Sequence, residues 1–381
     1  MSLDLNLTED EEMLRSAALD FLERDAPNEV VQNLLKQSDT GFTDELWRTT
    51  AEMGWMGIII PEQYGGTEFP LTSAGVLFEA LGSGPLPGPH FSSGILSTQI
   101  LLEAGTEEQK QEILPAIAEG AQILTLALTE PDYGWEPGLV STTATDKDGE
   151  YVLDGVKLFT MDAQAATKFI VVARTKKKSN PAKGLSMFLV DSESEGVSIT
   201  RLPGFLTGRT FEVKLDSVKV PESAMLGRKG KGWKPLGRAI EKSIPILCAY
   251  KVGGSQAVLD MTLDYSRIRV QFGQPIGRFQ RVQDMIIAMV THLDTARWAT
   301  YEALWKLDTG KPASESVHLA KALSSKGYWE VCTLGHQVFS GVGYSRENAL
   351  SFHTRASRSL HSFLGEPAYH RNKIAQILMD R

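Results

Sequence analysis

Cysteine is almost missing: the 381 residues hold only Cys248 and Cys332, far apart and with no CxxC pair. That excludes a disulfide framework and a structural zinc site, and it makes a reducing compartment the expectation. Metal-ligand spacing of His, Cys, Asp or Glu is missing as well, so no metal is expected. No run of about 18 apolar residues occurs, so no helix is expected to cross a membrane. A basic surplus is also lacking, since 39 Lys and Arg face 47 Asp and Glu for a net charge of −8. Nucleic acid is therefore not an expected partner, because neutralising phosphates needs an excess of cations. The one basic tract, Lys176-Lys177-Lys178, stands beside Ser179, Asn180 and Pro181 and reads as a solvated loop. The first residues, Met1-Ser2-Leu3-Asp4, are acidic and carry no apolar leader core, so a cytoplasmic location is the expectation.

What is present falls into three stretches of different hydrophobic period. Thr8-Glu9-Asp10-Glu11 is a capping-box pattern, followed at helical spacing by Met13, Leu14, Ala17, Ala18, Phe21 and Leu22. Further helical stretches reach to about residue 122, punctuated by Gly and Pro clusters at 61–66 and 82–89. From Leu124 to Leu226 the apolar residues come in short β-branched runs, with Asp148-Gly149, Asp154-Gly155 and Asn180-Pro181 as turn signals between them. After Gly232 the helical period returns, over 239–267, 281–309, 313–340 and 367–381. These periods predict an α+β fold, mostly α, with a helical domain at 1–122, an antiparallel β unit at 123–230 and a helical bundle at 231–381.

Several local motifs resemble those of the acyl-CoA dehydrogenase family. Thr129-Glu130-Pro131-Asp132-Tyr133-Gly134 looks like its flavin-contacting turn. Gly65-Gly66, Gly155-Val156-Lys157, Arg269-Val270-Gln271-Phe272-Gly273, Phe279-Gln280 and Gln337 to Tyr344 follow in the family's order, so the resemblance runs over essentially the whole chain. It implies an N-terminal helical domain, a middle β-barrel and a C-terminal four-helix bundle. It also implies FAD as cofactor, an acyl-CoA substrate dehydrogenated across its α,β bond, and an electron-transfer flavoprotein as electron acceptor. Four-subunit assembly is expected, from identical chains or with a homologous partner. Residues implied to hold FAD are Thr129, Phe159, Thr160, Arg269, Gln271, Phe272, Gln280, Gln337 and Gly341. Arg269 suits a pyrophosphate because its guanidinium is a fixed fork of donors.

Other positions depart from the pattern. Trp135 and Glu136 stand where the family has a serine and an aspartate, and Met161 replaces a hydroxyl expected near the flavin edge. The two places where the family carries its glutamate base hold Leu364 and Ser243, and neither side chain can serve. Glu366 and Glu241 are the nearest acidic candidates. Glu366, just before Pro367, also reads as a helix start, and Glu241 as a solvated or ion-paired helix residue. His370 reads as packed. The motifs that one subunit lends to its neighbour's flavin are thus intact, while those of its own site are eroded. The expectation is a subunit that completes a partner chain's FAD site. The alternatives are a homomeric dehydrogenase using Glu366 or Glu241, a lyase, hydratase or oxygenase on the same fold, or a flavin-free scaffold.

Overall fold

The computed structural model describes residues 6–38, 40–203, 210–345 and 347–380. Met1–Asp4, read above as lacking a leader, lie outside the described residues. The chain forms two compact units, each assembled from separate segments. One comprises Met1–Lys36, Pro70–Leu86 and Ile244–Arg381; the other comprises Gln37–Phe69 and Pro87–Ser243.

The first unit is helical. Helix α1 (Glu9–Arg24) starts with the expected capping box, in which Glu11 N donates to Thr8 Oγ1 and Thr8 N donates to Glu11 Oε2. Helix α2 is Asn28–Gln37, and α1 packs on α4 (Leu71–Ser83), which packs in turn on α8 (Gln280–Asp308). Helix α9 (Ser314–Phe339) lies against α8, α10 (Ala349–His361) and α11 (Pro367–Met379). The long helix α7 (Trp233–Ile268) adds Val252, Val258 and Leu259 to a core shared with Met289, Leu293 and Tyr328. It approaches α4 so closely that a Cβ on Gly253 would lie 1.7 Å from Glu79 O. Helix α10 has no counterpart in the stretches picked out by hydrophobic period.

The second unit carries α3 (Asp44–Glu52), α5 (Thr98–Ala104), α6 (Glu107–Ala118), the start of α7 and a sheet. Its strands are β1 (Leu124–Ala127), β2 (Thr143–Lys147), β3 (Glu150–Met161), β4 (Lys168–Arg174), β5 (Leu185–Asp191), β6 (Val197–Arg201), β7 (Thr210–Pro221) and β8 (Met225–Leu226). Their order is β6-β7-β3-β2-β4-β5-β8, with β1 beside β4. The expected closed antiparallel barrel is therefore corrected to an open, mixed sheet. Strand β1 runs parallel to β4, and β2 touches β4 in parallel as well, so the path never closes. Asp148-Gly149 does form the β2–β3 hairpin turn, with both residues at positive φ. Asp154-Gly155 is no turn. It lies inside β3, where the register with β7 shifts. Alternate burial along β7 shows one packed and one wet face, whereas β4 is buried nearly throughout.

Two glycines of α7 should behave oppositely. Gly253→Ala forces α4 and α7 apart and should cost about 1–3 kcal/mol, a Tm drop of roughly 2–12 °C. Gly237, with nothing within 4 Å of its would-be Cβ, should gain about 0.5–1 kcal/mol on change to Ala. Thermal melts of the two variants check both signs.

Candidate functional site

The sheet-bearing unit builds a turn around one buried ion pair. Lys157 Nζ lies 2.6 Å from Glu130 Oε1, with the two side chains 0% and 2% exposed. Lys157 also donates to Val172 O at 2.6 Å and more distantly to Leu128 O. Glu130 accepts from Ser141 N at 2.7 Å, from Ser141 Oγ, and from Thr142 N at 3.0 Å. Burial pushes the Glu130 carboxyl up, but the Lys157 ammonium and the Ser141 and Thr142 donors outweigh it and hold it below the usual carboxylate range. Gly155 leaves room for this arrangement, since a Cβ there would sit 2.3 Å from Thr142 Oγ1. One pair thus ties the segment after β1 to the entrance of β2, to β3 and to β4.

The turn so anchored presents aromatic rings. Leu158 N donates to Thr129 O at 2.8 Å, and the next residue, Phe159, sits at φ +55° in a second register shift of β3. Its ring is 46% exposed and meets the exposed Tyr133 ring edge-on, with centroids 5.7 Å apart. Tyr133 is also at positive φ. Backbone strain of this kind persists where the surroundings over-determine it and collects at functional sites. Thr160 turns inward, and its Oγ1 is buried without a hydrogen-bond partner among the described residues, as is Trp135 Nε1. Exposed rings beside unsatisfied polar atoms fit a planar heteroaromatic cofactor with hydrogen-bonding edges, as FAD is. Met161 is half-buried.

The helical unit gathers the remaining expected cofactor residues at one end. Tyr265 of α7 stacks on Phe339 of α9, with centroids 4.3 Å apart and planes 12° apart. That contact brings the chain after α7 next to the chain after α9. After α7 comes a two-stranded hairpin, β9 (Val270–Gln271) and β10 (Gln274–Pro275), turned through Phe272 and Gly273 at positive φ. Arg269, Gln271, Gln280, Gln337 and Gly341 are all exposed, and Phe272 is 94% exposed. The Arg269 guanidinium has no partner among the described residues. Nothing lies within 4 Å of a Cβ built on Gly341. Val342 and Tyr344 add further exposed apolar surface.

The two base positions are sealed. Ser243 is 0% exposed and donates to Ala239 O at 2.8 Å. Glu241 is half-buried. Leu364, 2% exposed, lies between α10 and α11 at φ +57°, followed by Gly365 at φ +101°. His370 Nε2 is 2.9 Å from Leu364 O, and Lys321 Nζ donates to Gly365 O at 2.7 Å. A carbonyl only accepts, so His370 carries its proton on Nε2; its Nδ1 then accepts from His318 Nδ1, 2.9 Å away. Burial pushes His370 down to about 2, so it stays neutral and merely holds the turn. Glu366 is the N-cap of α11, as expected of a helix start, yet its side chain makes no capping bond and meets Lys321 only through longer-range charge.

Two sets of contacts, one in each unit, had no forerunner in the motifs. Lys251 and Lys321, both essentially unexposed, share Ser325 Oγ at 2.8 and 3.1 Å, with no salt bridge among the described residues and only the longer-range charge of Glu366 acting on Lys321. The only local sign of them is a lysine set among apolar neighbours, Cys248, Val252 and Ala322. Glu130 and Lys157 stand inside quoted motifs, but their pairing crosses 27 residues and is not visible locally.

Two predictions follow from these contacts. Lys157→Met strands a buried carboxylate and should cost about 3–5 kcal/mol, while adding Glu130→Gln should recover part of that loss; denaturant melts of both variants check it. Burial pulls Lys251 down to about 8, whereas the unfolded chain stays protonated to about 10.5. Stability should therefore rise as pH climbs through that window. Lys251→Met should stabilise the chain by about 1–4 kcal/mol at pH 7, with the gain shrinking above about pH 8. Melts at about pH 7 and 10 test the sign.

Comparison with known proteins agrees with this geometry. Models for the N-terminal, middle and C-terminal domains of acyl-CoA dehydrogenase match residues 8–121, 125–218 and 230–379. The chain is 30% identical to the probable acyl-CoA dehydrogenase YngJ of Bacillus subtilis, covering 99% of this chain and 100% of that one. It is 32% identical to CarC, a subunit of the caffeyl-CoA reductase–Etf complex of Acetobacterium woodii, over 89% and 90% of the two chains. Among solved structures, butyryl-CoA dehydrogenase from Megasphaera elsdenii superposes with a TM-score of 0.90 at 27% identity, over 99% of this chain and 100% of the other. The chain belongs to the acyl-CoA dehydrogenase family, FAD-dependent oxidoreductases that act on CH–CH groups.

Proposed function

We propose that this chain is a subunit of an acyl-CoA dehydrogenase that completes the FAD site of a homologous partner chain. The observation that carries this reading is the contrast between two sets of residues. Arg269, Gln271, Phe272, Gln337 and Gly341 stand exposed at one end of the helical unit. Leu364 and Ser243, where a base would be needed, are buried and cannot accept a proton from a thioester Cα. A ring as exposed as Phe272 belongs in an interface. FAD, when bound, supplies the hydride acceptor. Arg269 would contribute charge-assisted hydrogen bonds to its pyrophosphate, Phe272 and Gln271 would flank it, and Gln337 with the open Gly341 would allow close backbone approach. On the chain's own side, Thr129, Phe159 and Thr160 form the flavin turn, narrowed by the Trp135 indole. The partner supplies the glutamate that takes the α-proton. An electron-transfer flavoprotein is the proposed electron acceptor. Relatives named as caffeyl-CoA and acryloyl-CoA reductases support writing the α,β reaction in either direction.

A second reading, in which Glu366 is a relocated base, is favoured by one observation: its half-buried carboxylate makes no capping bond to the helix it starts.

Flavin stoichiometry tests the main reading. Expressed alone, the chain should bind FAD poorly; with its partner, the complex should carry about one FAD per two chains. Arg269→Ala should lower occupancy of the complex by removing bonds of about 1.5–3 kcal/mol each. One FAD per chain in a purified homo-oligomer would overturn the reading.

Catalysis separates the two readings. The isolated chain should show little acyl-CoA turnover, since a positioned base contributes about 10²–10⁴-fold. Turnover by the isolated chain that Glu366→Gln abolishes while FAD stays bound would make Glu366 the base. Leu364→Glu should restore activity only where FAD is bound.

A further inference from the structure

The basic tract Lys176-Lys177-Lys178 plays no part in the site above, yet its loop is not merely solvated. The β4–β5 loop and the segment leading into α7 form the walls of an open groove of about 930 Å³ in the sheet-bearing unit. Backbone contacts fix both walls. Gly184 N donates to Gly230 O at 2.9 Å, Gly232 N to Leu185 O at 2.8 Å, and Gly230 N to Ser186 Oγ at 2.8 Å. Lys176, Lys178, Lys183, Lys229, Lys231 and Lys234 line the groove, and no acidic residue does. Lys229 is answered by Asp146 at 2.7 Å. The other five have no ion pair among the described residues, on a chain whose net charge is −8.

The donors indicate what fits. The groove is lined by no arginine, and all six lysines are exposed. A lysine ammonium is a hydrated point charge on a flexible stem. A single phosphate is more often held by arginine forks or a nest of backbone N–H groups. Spread, solvated positive charge instead steers and orients an extended acidic surface. The groove is also tied to the flavin turn. Arg174, the last residue of β4, donates to Pro137 O at 2.8 Å and Val140 O at 3.1 Å, just past Trp135, and to Pro181 O at 3.2 Å in the β4–β5 loop.

We propose that this groove docks a small acidic protein that carries the acyl group as a phosphopantetheine thioester. The inference rests on the thioester reading above and names the form in which the substrate arrives: on a carrier protein, whose carboxylates meet the lysines. The groove then serves recognition, while the chemistry stays at the FAD site that this chain completes with its partner.

Binding to the full chain tests it, with a holo-acyl carrier protein as the probe and desulfo-CoA as the nucleotide control. The carrier protein should bind, and its affinity should fall at least about tenfold between about 50 and 200 mM salt. The triple variant Lys178→Glu, Lys183→Glu, Lys234→Glu should lower it at least about tenfold and leave desulfo-CoA affinity unchanged. Lys177→Glu, outside the groove lining, should have a smaller effect, and equal Tm values would show that all variants fold. No carrier binding by the wild type at low salt would overturn the proposal. So would an equal loss of desulfo-CoA affinity, which would make the groove a nucleotide subsite. Neither readout needs turnover. A chain that binds the carrier through these lysines but converts no thioester, alone or with a partner, would overturn the dehydrogenase reading and leave the groove standing.

Discussion

The buried pairing of Lys157 with Glu130 is the constraint on which the sheet-bearing unit depends. A lone buried charge of either sign would be costly, and the pair is tolerable because every remaining lone pair and proton has a partner. Ser141, Thr142 and the Val172 carbonyl supply those partners. Four segments distant in sequence must therefore converge before either charge can be desolvated. The strained Phe159 backbone hangs directly on this anchor through the Leu158–Thr129 hydrogen bond. The stiffness of the ion pair and the strain of the aromatic turn are two parts of one local design.

The helical unit shows a second buried cationic group used differently. Lys321 and His370 hold the carbonyls of Gly365 and Leu364, so the turn between α10 and α11 has little freedom to move. A leucine there keeps a left-handed backbone that few non-glycine residues adopt. The geometry of the turn is kept, and what its side chain offers is hydrocarbon. At the opposite extreme, the Arg269 hairpin and the Gln337 turn keep polar and aromatic groups that nothing in the same unit covers. Rigidity without a carboxylate in one place and exposed recognition groups in another are what a chain specialised for completing a neighbour would display.

Much of the fold was legible in hydrophobic period: helices, then β-branched runs, then helices again. The closure of the sheet was not, because it depends on where β1 inserts, and a four-residue strand carries no mark of running parallel to β4. Asp154-Gly155 looked like a turn because Asp-Gly commonly makes one, whereas the glycine is needed to admit Thr142. Helix α10 was not legible because its buried face mixes His353 and Ser357 with Leu350 and Phe352, which blurs the apolar period. At the candidate site, Arg269, Phe272 and Gln337 could be picked out by motif as expected cofactor residues. Their convergence could not, since it relies on the Tyr265–Phe339 stack. The Lys251–Lys321 pair was invisible for the same reason, being a contact between helices rather than a pattern along one.

The interleaving of the two units has a consequence for how the protein is made. Helices α1 and α4 pack together, but α4 also needs α8, and residues 87–243 intervene before the rest of that unit begins. At about 5–20 residues per second, a ribosome needs roughly ten to thirty seconds to cross that interval. Throughout it, the apolar side of α4, with Leu77, Phe78 and Leu81 destined for burial, waits for helices not yet synthesised. The nascent chain is thus a natural client for a holdase chaperone during the middle third of translation, and a stall there would leave a helix pair with no core to join.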